Sequence, residues 1–228
     1  WMPIVRTWDA PDPRDDGVSL LTETLCALTP TNGRIGVPMG LETHLRMPLG
    51  DYGTVATRIA PRSFIDGTAT IQRVREIKSE AEVGLIRETC AIADRTFARV
   101  PEFVAAGKPL DEVFRDFQIT LLQEGADWVS YVAGGAGQDG YGDVISPAGQ
   151  QPLAKGDVLM LDTGAVRNGY FCDFDRNYAI GRASDVAKRA HHALFRATET
   201  VLERLRPGMV ASDVHSLLIK GLTDAGAA

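Results

Sequence analysis

The chain has 228 residues, 44% apolar and 24% charged, with a net charge of −6: enough chain for a sizeable core in one large domain or two. The acidic balance, with no block of Lys or Arg, argues against nucleic acid and anionic membranes as partners, and no apolar run is long enough to span a bilayer. Three cysteines (Cys26, Cys90 and Cys172) form an odd set without metal-type spacing, which argues against a disulfide framework and fits a reducing cytoplasm. There is no secretory leader pattern, a weak test in a chain that opens on Trp1.

The first seventy or so residues read as a small α/β unit. Pro3 to Trp8 predicts a strand, Asp9 to Asp16 a polar loop, Ser19 to Ala27 a helix, Arg34 to Val37 a short strand and Leu41 to Arg46 a brief helix. His44 stands alone among apolar and charged neighbours and has an ordinary structural or surface role.

The architecture changes at Arg75-Glu-Ile-Lys-Ser79. Ser79 followed by Glu82 is a capping box, in which the Ser side chain takes an orphan N–H and the Glu reaches back. Val83, Ile86, Cys90, Ala93, Phe97 and Val100 recur at helical spacing and predict a long amphipathic helix. A break at Gly107-Lys-Pro109 leads to a second helix through Leu122, and Gly125 stands where a left-handed stop residue belongs. Trp128 to Ala133 then predicts a strand.

The glycine-rich stretch Gly134 to Gly142 carries Asp139 and no basic residue. Phosphate cradles want a helix start and a Lys, so a flexible loop on the substrate side, or simply a turn, is the better reading.

Met160 to Ile180 predicts two strands joined at Asn168-Gly169, the strongest short-range hairpin signal. A two-residue turn pairs Arg167 with Tyr170, which places Gly164 opposite Asp173 and Asp162 opposite Asp175. Side chains alternate faces, so Asp162, Asp173 and Asp175 emerge together. Like charges across a ladder destabilise it, unless a proton is shared or a cation sits between them. Gly164 is expected to leave room for that ion, and hard oxygen ligands suit Mn, Mg, Ca, Fe or Zn. The competing reading is a solvated acidic face, against which Val158, Met160, Tyr170 and Tyr178 argue for a buried strand pair.

Ser184 caps a helix from about Asp185 to Leu205, Pro207-Gly208 ends it, and Ser212-Asp213 starts another that stops near Gly226. His191 and His192 face different sides of the first of these and read as surface or packing residues. A shift of 101 residues sets Gly107 on Gly208, Val113 on Val214, Gly125 on Gly226 and Ala126 on Ala227. The punctuation thus repeats, and the second copy ends where its strands would begin. The sequence therefore predicts a fragment lacking the sheet that would face the acidic hairpin.

These features together resemble the creatinase/aminopeptidase P/prolidase family. The carriers are Arg75-Glu-Ile-Lys-Ser79 with Glu82 and Ile86-Arg87, and Asp162-x-Gly164 followed by Gly169-Tyr170 and Asp173. The resemblance implies an α+β pita-bread fold, its first half in residues 75–228, preceded by the C-terminal part of a creatinase-like N-terminal domain in residues 1–74. It also implies two divalent metal ions (Mn, Zn, Co or Fe), with Asp162 holding one, Asp173 bridging both, and a His and two Glu from the second half completing the set. A small peptide or amide substrate follows from the same resemblance, and a homodimer is expected with it; the cysteines and charge already favour a cytoplasmic protein with neither nucleic acid nor membrane as partner.

Two departures stand out. Asp175 occupies a place where family peptidases usually carry Thr, and no His lies near Ile145, where they carry one; none occurs between His44 and His191. Asp175 is therefore the candidate catalytic base, or a supplementary ligand. The departures keep non-peptidase relatives open, such as ectoine hydrolases and dimethylsulfoniopropionate lyases. Creatinase-like chemistry needs a His and no metal, and a non-catalytic binding module has no reason to keep three acids on one face. The reading preferred from sequence is a metal-dependent hydrolase resembling Xaa-Pro aminopeptidase or prolidase.

Overall fold

The computed structural model describes residues 4–145 and 147–226. The chain divides into two compact units, Trp1–Ser79 and Glu80–Ala228.

The first unit is a small β-α-β arrangement. Strand β1 (Arg34–Val37) pairs in parallel with β2 (Ser63–Asp66), and α1 (Val18–Leu28), α2 (Leu49–Arg58) and α3 (Thr68–Glu76) complete the unit. Its core is small: Val18, Val55 and Ile59, with Leu21, Leu25, Ile35 and Phe64 packed against them. Two expectations fail here. Pro3 lies outside the described residues, and Ile4 to Trp8 form no strand, with Ile4 and Val5 largely exposed; β-prone residues without a partner strand have no ladder to join. Leu41 to Arg46 form no helix either: Glu42 takes a positive φ of 57°, and the helix begins only after Pro48.

In the second unit, α4 (Glu80–Phe103) and α5 (Leu110–Gln123) pack on one face of an antiparallel sheet of β3 (Trp128–Gln138), β4 (Asp157–Arg167), β5 (Tyr170–Phe171) and β6 (Phe174–Ala179). Ser79 stands immediately before α4, as the capping signal predicts. Strand β4 is central, with β3 on one side and β5 and β6 in succession on the other. Ile92, Phe97, Val113, Phe117 and Leu121 from the helices meet Leu159, Leu161 and Ala165 from β4. The expected break between the helices is present. Gly107, at φ 91°, donates its N–H to Leu153 O, and Lys108 donates to Phe103 O and to the Asp116 carboxylate.

The glycine-rich stretch is not one loop. Gly134 to Gln138 belong to β3, paired with Leu161 to Asp157. Glycine is required because backbone passes where side chains would stand: a Cβ on Gly134 would lie 2.1 Å from Met160 O, and one on Gly135 2.4 Å from Asp143 O. Residues 139–144 thereby fold back on β3, with the Gly134 N–H donating to Val144 O.

Helices α6 (Asp185–Arg204) and α7 (Ala211–Asp224) follow. Ser184 caps α6 by accepting the Ala187 N–H at 3.1 Å. The two helices approach closely at Gly221, where a Cβ would lie 3.0 Å from that of Ala197. The repeated punctuation holds in the backbone: Gly107 and Gly208 have φ of 91° and 90°, Gly125 and Gly226 of 111° and 69°. Ala227, the last matched position, lies outside the described residues. Among the described residues no helix is long and apolar enough to cross a membrane.

Candidate metal centre

The site begins with the hairpin turn. Asn168 and Gly169 have φ of 52° and 78°, the positive pair that a two-residue turn between twisted strands needs. Asp127, just before β3, clamps this turn: its carboxylate accepts the Asn168 N–H at 2.7 Å and the Arg167 guanidinium at 2.6 Å. Those two contacts hold its carboxyl below the usual range. On the far side, the Tyr170 hydroxyl donates to Glu82 of α4 at 3.0 Å.

The predicted register is observed. Arg167 pairs with Tyr170, Val166 with Phe171, Thr163 with Phe174 and Asp162 with Asp175. The ladder opens between β5 and β6 at Cys172 and Asp173, where Cys172 N–H still reaches Ala165 O at 3.1 Å. Gly164 does not leave space for an ion, contrary to expectation. A Cβ there would lie 2.6 Å from Cys172 O and 3.5 Å from the Tyr131 ring, so the glycine admits neighbouring backbone and an aromatic ring.

Tyr131 is the residue that sequence reasoning missed. Its hydroxyl lies between two carboxylates, donating to Asp173 Oδ1 at 2.5 Å with Asp162 Oδ1 at 3.3 Å. A β-bulge puts it there. Val129 pairs with Ala165 and Tyr131 with Gly164, so Ser130 is the extra residue and Tyr131 is turned away from the face that Val129 shares with the core. The signal in the sequence is Val129 and Val132, apolar at a spacing of three where a regular strand would show two.

The electrostatics follow. Burial, and then the neighbouring charge of Asp173, raise the Asp162 pKa, with Asp175 adding to the effect. Tyr131 is pushed far above its ordinary value by burial, by its bond to Asp173 and by the charge of Asp162, so it remains a proton donor. Asp173 and Asp175 are both exposed. Asp175 acts through its charge on Asp162 and on Tyr141, whose hydroxyl donates to Asn177 at 2.8 Å. Among the described residues, no three His, Cys, Asp or Glu side chains converge tightly enough to hold a metal ion. The structure therefore brings Asp162 and Asp173 together as a pair and keeps Asp175 beside them. That pair fits a hard cation in its chemistry: two carboxylates, mutually repelling, joined here through one hydroxyl. His44, His191 and His192 are exposed, and none of the four histidines lies on β3 to β6.

Comparison with known proteins identifies the chain's relatives. The profile of the metallopeptidase family M24 matches residues 84–228. The chain is 32% identical over 162 residues to the probable dipeptidase PepE of Mycobacterium tuberculosis, covering 71% of this chain and 43% of that one. It is 25% identical over 181 residues to the Xaa-Pro dipeptidase of Pyrococcus horikoshii, covering 78% and 50%. Among solved structures, the X-Pro aminopeptidase of Thermotoga maritima superposes with a TM-score of 0.80 at 23% identity, over 97% of this chain and 60% of that one. The chain spans about half the length of the curated relatives it matches, and the α+β pita-bread fold expected from sequence is present as part of that fold.

Proposed function

The chain belongs to metallopeptidase family M24, and from that premise we propose that it contributes part of the active site of a metal-dependent hydrolase acting on a small peptide, in the manner of an Xaa-Pro dipeptidase or aminopeptidase. The observation that carries this reading is the convergence of Asp162 and Asp173 on the Tyr131 hydroxyl, on the sheet face opposite α4 and α5. The family is generally dependent on a dinuclear metal centre. In this reading two divalent metals (Mn, Zn, Co or Fe) would be bound, with Asp162 and Asp173 among the residues that would hold them. Among the described residues, no third His, Cys, Asp or Glu joins the pair closely enough to complete such a set.

When bound, the metals would supply Lewis acidity toward a substrate carbonyl. The chain's own residues do the rest. Tyr131 fixes the two carboxylates relative to each other by its hydrogen bonds. In this reading Asp175 takes a proton from a group seated over the pair, a role its exposure and its position opposite Asp162 support. The names of the relatives support a peptide bond over the non-peptidase substrates. The free thiols of Cys26, Cys90 and Cys172 support a cytoplasmic setting, and a homodimer is carried over from the family resemblance.

The test is elemental analysis of the complete protein after exposure to Mn, Co, Zn or Fe, paired with an assay on a panel of Xaa-Pro dipeptides. Two equivalents of one of these metals and hydrolysis of at least one dipeptide are expected. Turnover that survives thorough chelation, or a fully metal-loaded protein that cleaves no dipeptide, overturns the reading.

A further inference from the structure

Two of the three cysteines meet on the core side of the carboxylate pair. Cys172 is the residue before Asp173, in the short opening of the ladder between β5 and β6. Asp173 faces the site, while the Cys172 side chain turns the other way into the core and is only 6% exposed. There its Sγ lies 3.6 Å from the carbonyl oxygen of Thr89, and the next residue along α4 is Cys90. Cys90 packs against the same cluster, and the two thiols are within hydrogen-bonding reach of each other. Both are free, and Cys90 is only partly buried, so a small oxidant has access to that member of the pair.

A thiol with a second thiol in contact has an oxidation route that a lone thiol lacks. Hydrogen peroxide converts the Cys90 thiol to a sulfenic acid, and one water leaves. The Cys172 sulfur then attacks the Cys90 sulfur: the S–S bond forms, the S–O bond breaks, and the departing hydroxide leaves with the Cys172 proton as a second water. The two thiols lose two electrons and two protons, and the peroxide is reduced to two waters. A thiol reductant reverses the change by exchange. Bonding brings the sulfurs about 1.5 Å closer than contact. Helix α4 resists that movement, because Thr89 and Ala93 beside Cys90 are fully buried. The ladder opening is softer, since the Cys172 N–H bond to Ala165 O replaces regular strand pairing there. Movement of Cys172 toward α4 passes to Asp173, the next residue, and draws it from the Tyr131 hydroxyl.

We propose that Cys90 and Cys172 form a reversible disulfide site, and that closing it displaces Asp173 and turns the candidate metal centre down. The disulfide is independent of the metallopeptidase reading; the loss of turnover rests on it. The experiment treats the complete protein, freed of metal, with hydrogen peroxide and then removes the peroxide. Peptide mapping should find Cys90 joined to Cys172, and dithiothreitol should separate them. Turnover of an Xaa-Pro dipeptide after metal loading, and affinity for Mn, should each fall at least about tenfold. Both should return with dithiothreitol and stay level in Cys90→Ser treated in the same way. Mapping that finds Cys90 oxidised but unjoined to Cys172 overturns the proposal, as does a joined pair that leaves turnover or Mn affinity undiminished. Cys90→Ala serves should the serine variant fold poorly, and mapping of the unaltered protein needs neither. If the untreated protein cleaves no dipeptide, the metallopeptidase reading falls, while mapping and Mn affinity still decide this proposal.

Discussion

The two faces of β4 differ in everything but their backbone. Leu159, Leu161, Thr163 and Ala165 are fully buried, the apolar three within the core under α4 and α5, and the Thr163 hydroxyl donates to Tyr131 O. One residue out of phase, Asp162 and Gly164 face the opposite way with Asp173 and Asp175. The first face gathers apolar surface, and among the described residues no buried side-chain nitrogen or oxygen is left without a partner. The second gathers like charges and holds the Asp162 carboxyl above its ordinary range. A period of two lets one strand carry both: Asp162 stands between buried Leu161 and Thr163, as Asp173 does between Cys172 and Phe174 of the core. The difference teaches that the site face is electrostatically unfavourable without a cation and is held in place by the other face.

The sharpest way to break that contrast is from the site side. Asp173→Ala should remove a proposed metal ligand and with it all turnover, while the thermal midpoint of the metal-free protein stays level or rises, because Asp162 loses a like-charged neighbour. Elemental analysis showing two equivalents of metal still bound would sink the assignment. Asp175→Thr is the next test. If Asp175 is the base, turnover should fall by about 10²–10⁴ with metal content intact. A parallel loss of metal would make it a ligand, and full rate with full metal would leave it without a role.

Much of this contrast was legible in the sequence, and what was not has definite causes. The Asn-Gly turn fixes the hairpin register, and the register alone places Asp162 opposite Asp175. Helices α4 and α5 were readable because their apolar spacing, their glycine stops and the Ser79 boundary all agree. Tyr131 escaped because a one-residue bulge reverses which face a side chain takes, and alternation cannot reveal this without the partner strand. The glycine-rich stretch misled in the opposite way. Glycines commonly mark loops, but here they allow backbone to lie against a strand at distances that a Cβ forbids. In the first unit, apolar residues such as Ile4 and Val5 carry strand propensity but pair with nothing, and tertiary context overrides propensity.

The core face should respond in the other currency. Leu161 is fully buried between the carboxylate-bearing position Asp162 and Met160. Leu161→Ala should destabilise the protein by about 2–5 kcal/mol, read from urea unfolding, with metal content per folded molecule unchanged. A cost well under about 1 kcal/mol would mean that this face is not what holds the site.

The smallest effect expected lies at the edge of both faces, at Asp127. Its carboxylate accepts from the turn N–H of Asn168 and from Arg167, and these contacts lower its pKa. A lowered carboxylate pKa contributes stability that is present above the ordinary value, about 3.9, and is lost as pH falls through the lower value in the folded protein. Asp127→Asn keeps an acceptor for the Asn168 N–H but removes the charge facing Arg167. Near neutral pH the thermal midpoint should therefore drop only slightly, and metal binding should be unaffected. In acid the two proteins should converge, since protonation does to Asp127 what the substitution has already done. Thermal melts across that range test this directly. Superimposable profiles at every pH would mean that Asn168-Gly169 sets the hairpin unaided and that the clamp adds nothing to the register on which the two faces depend.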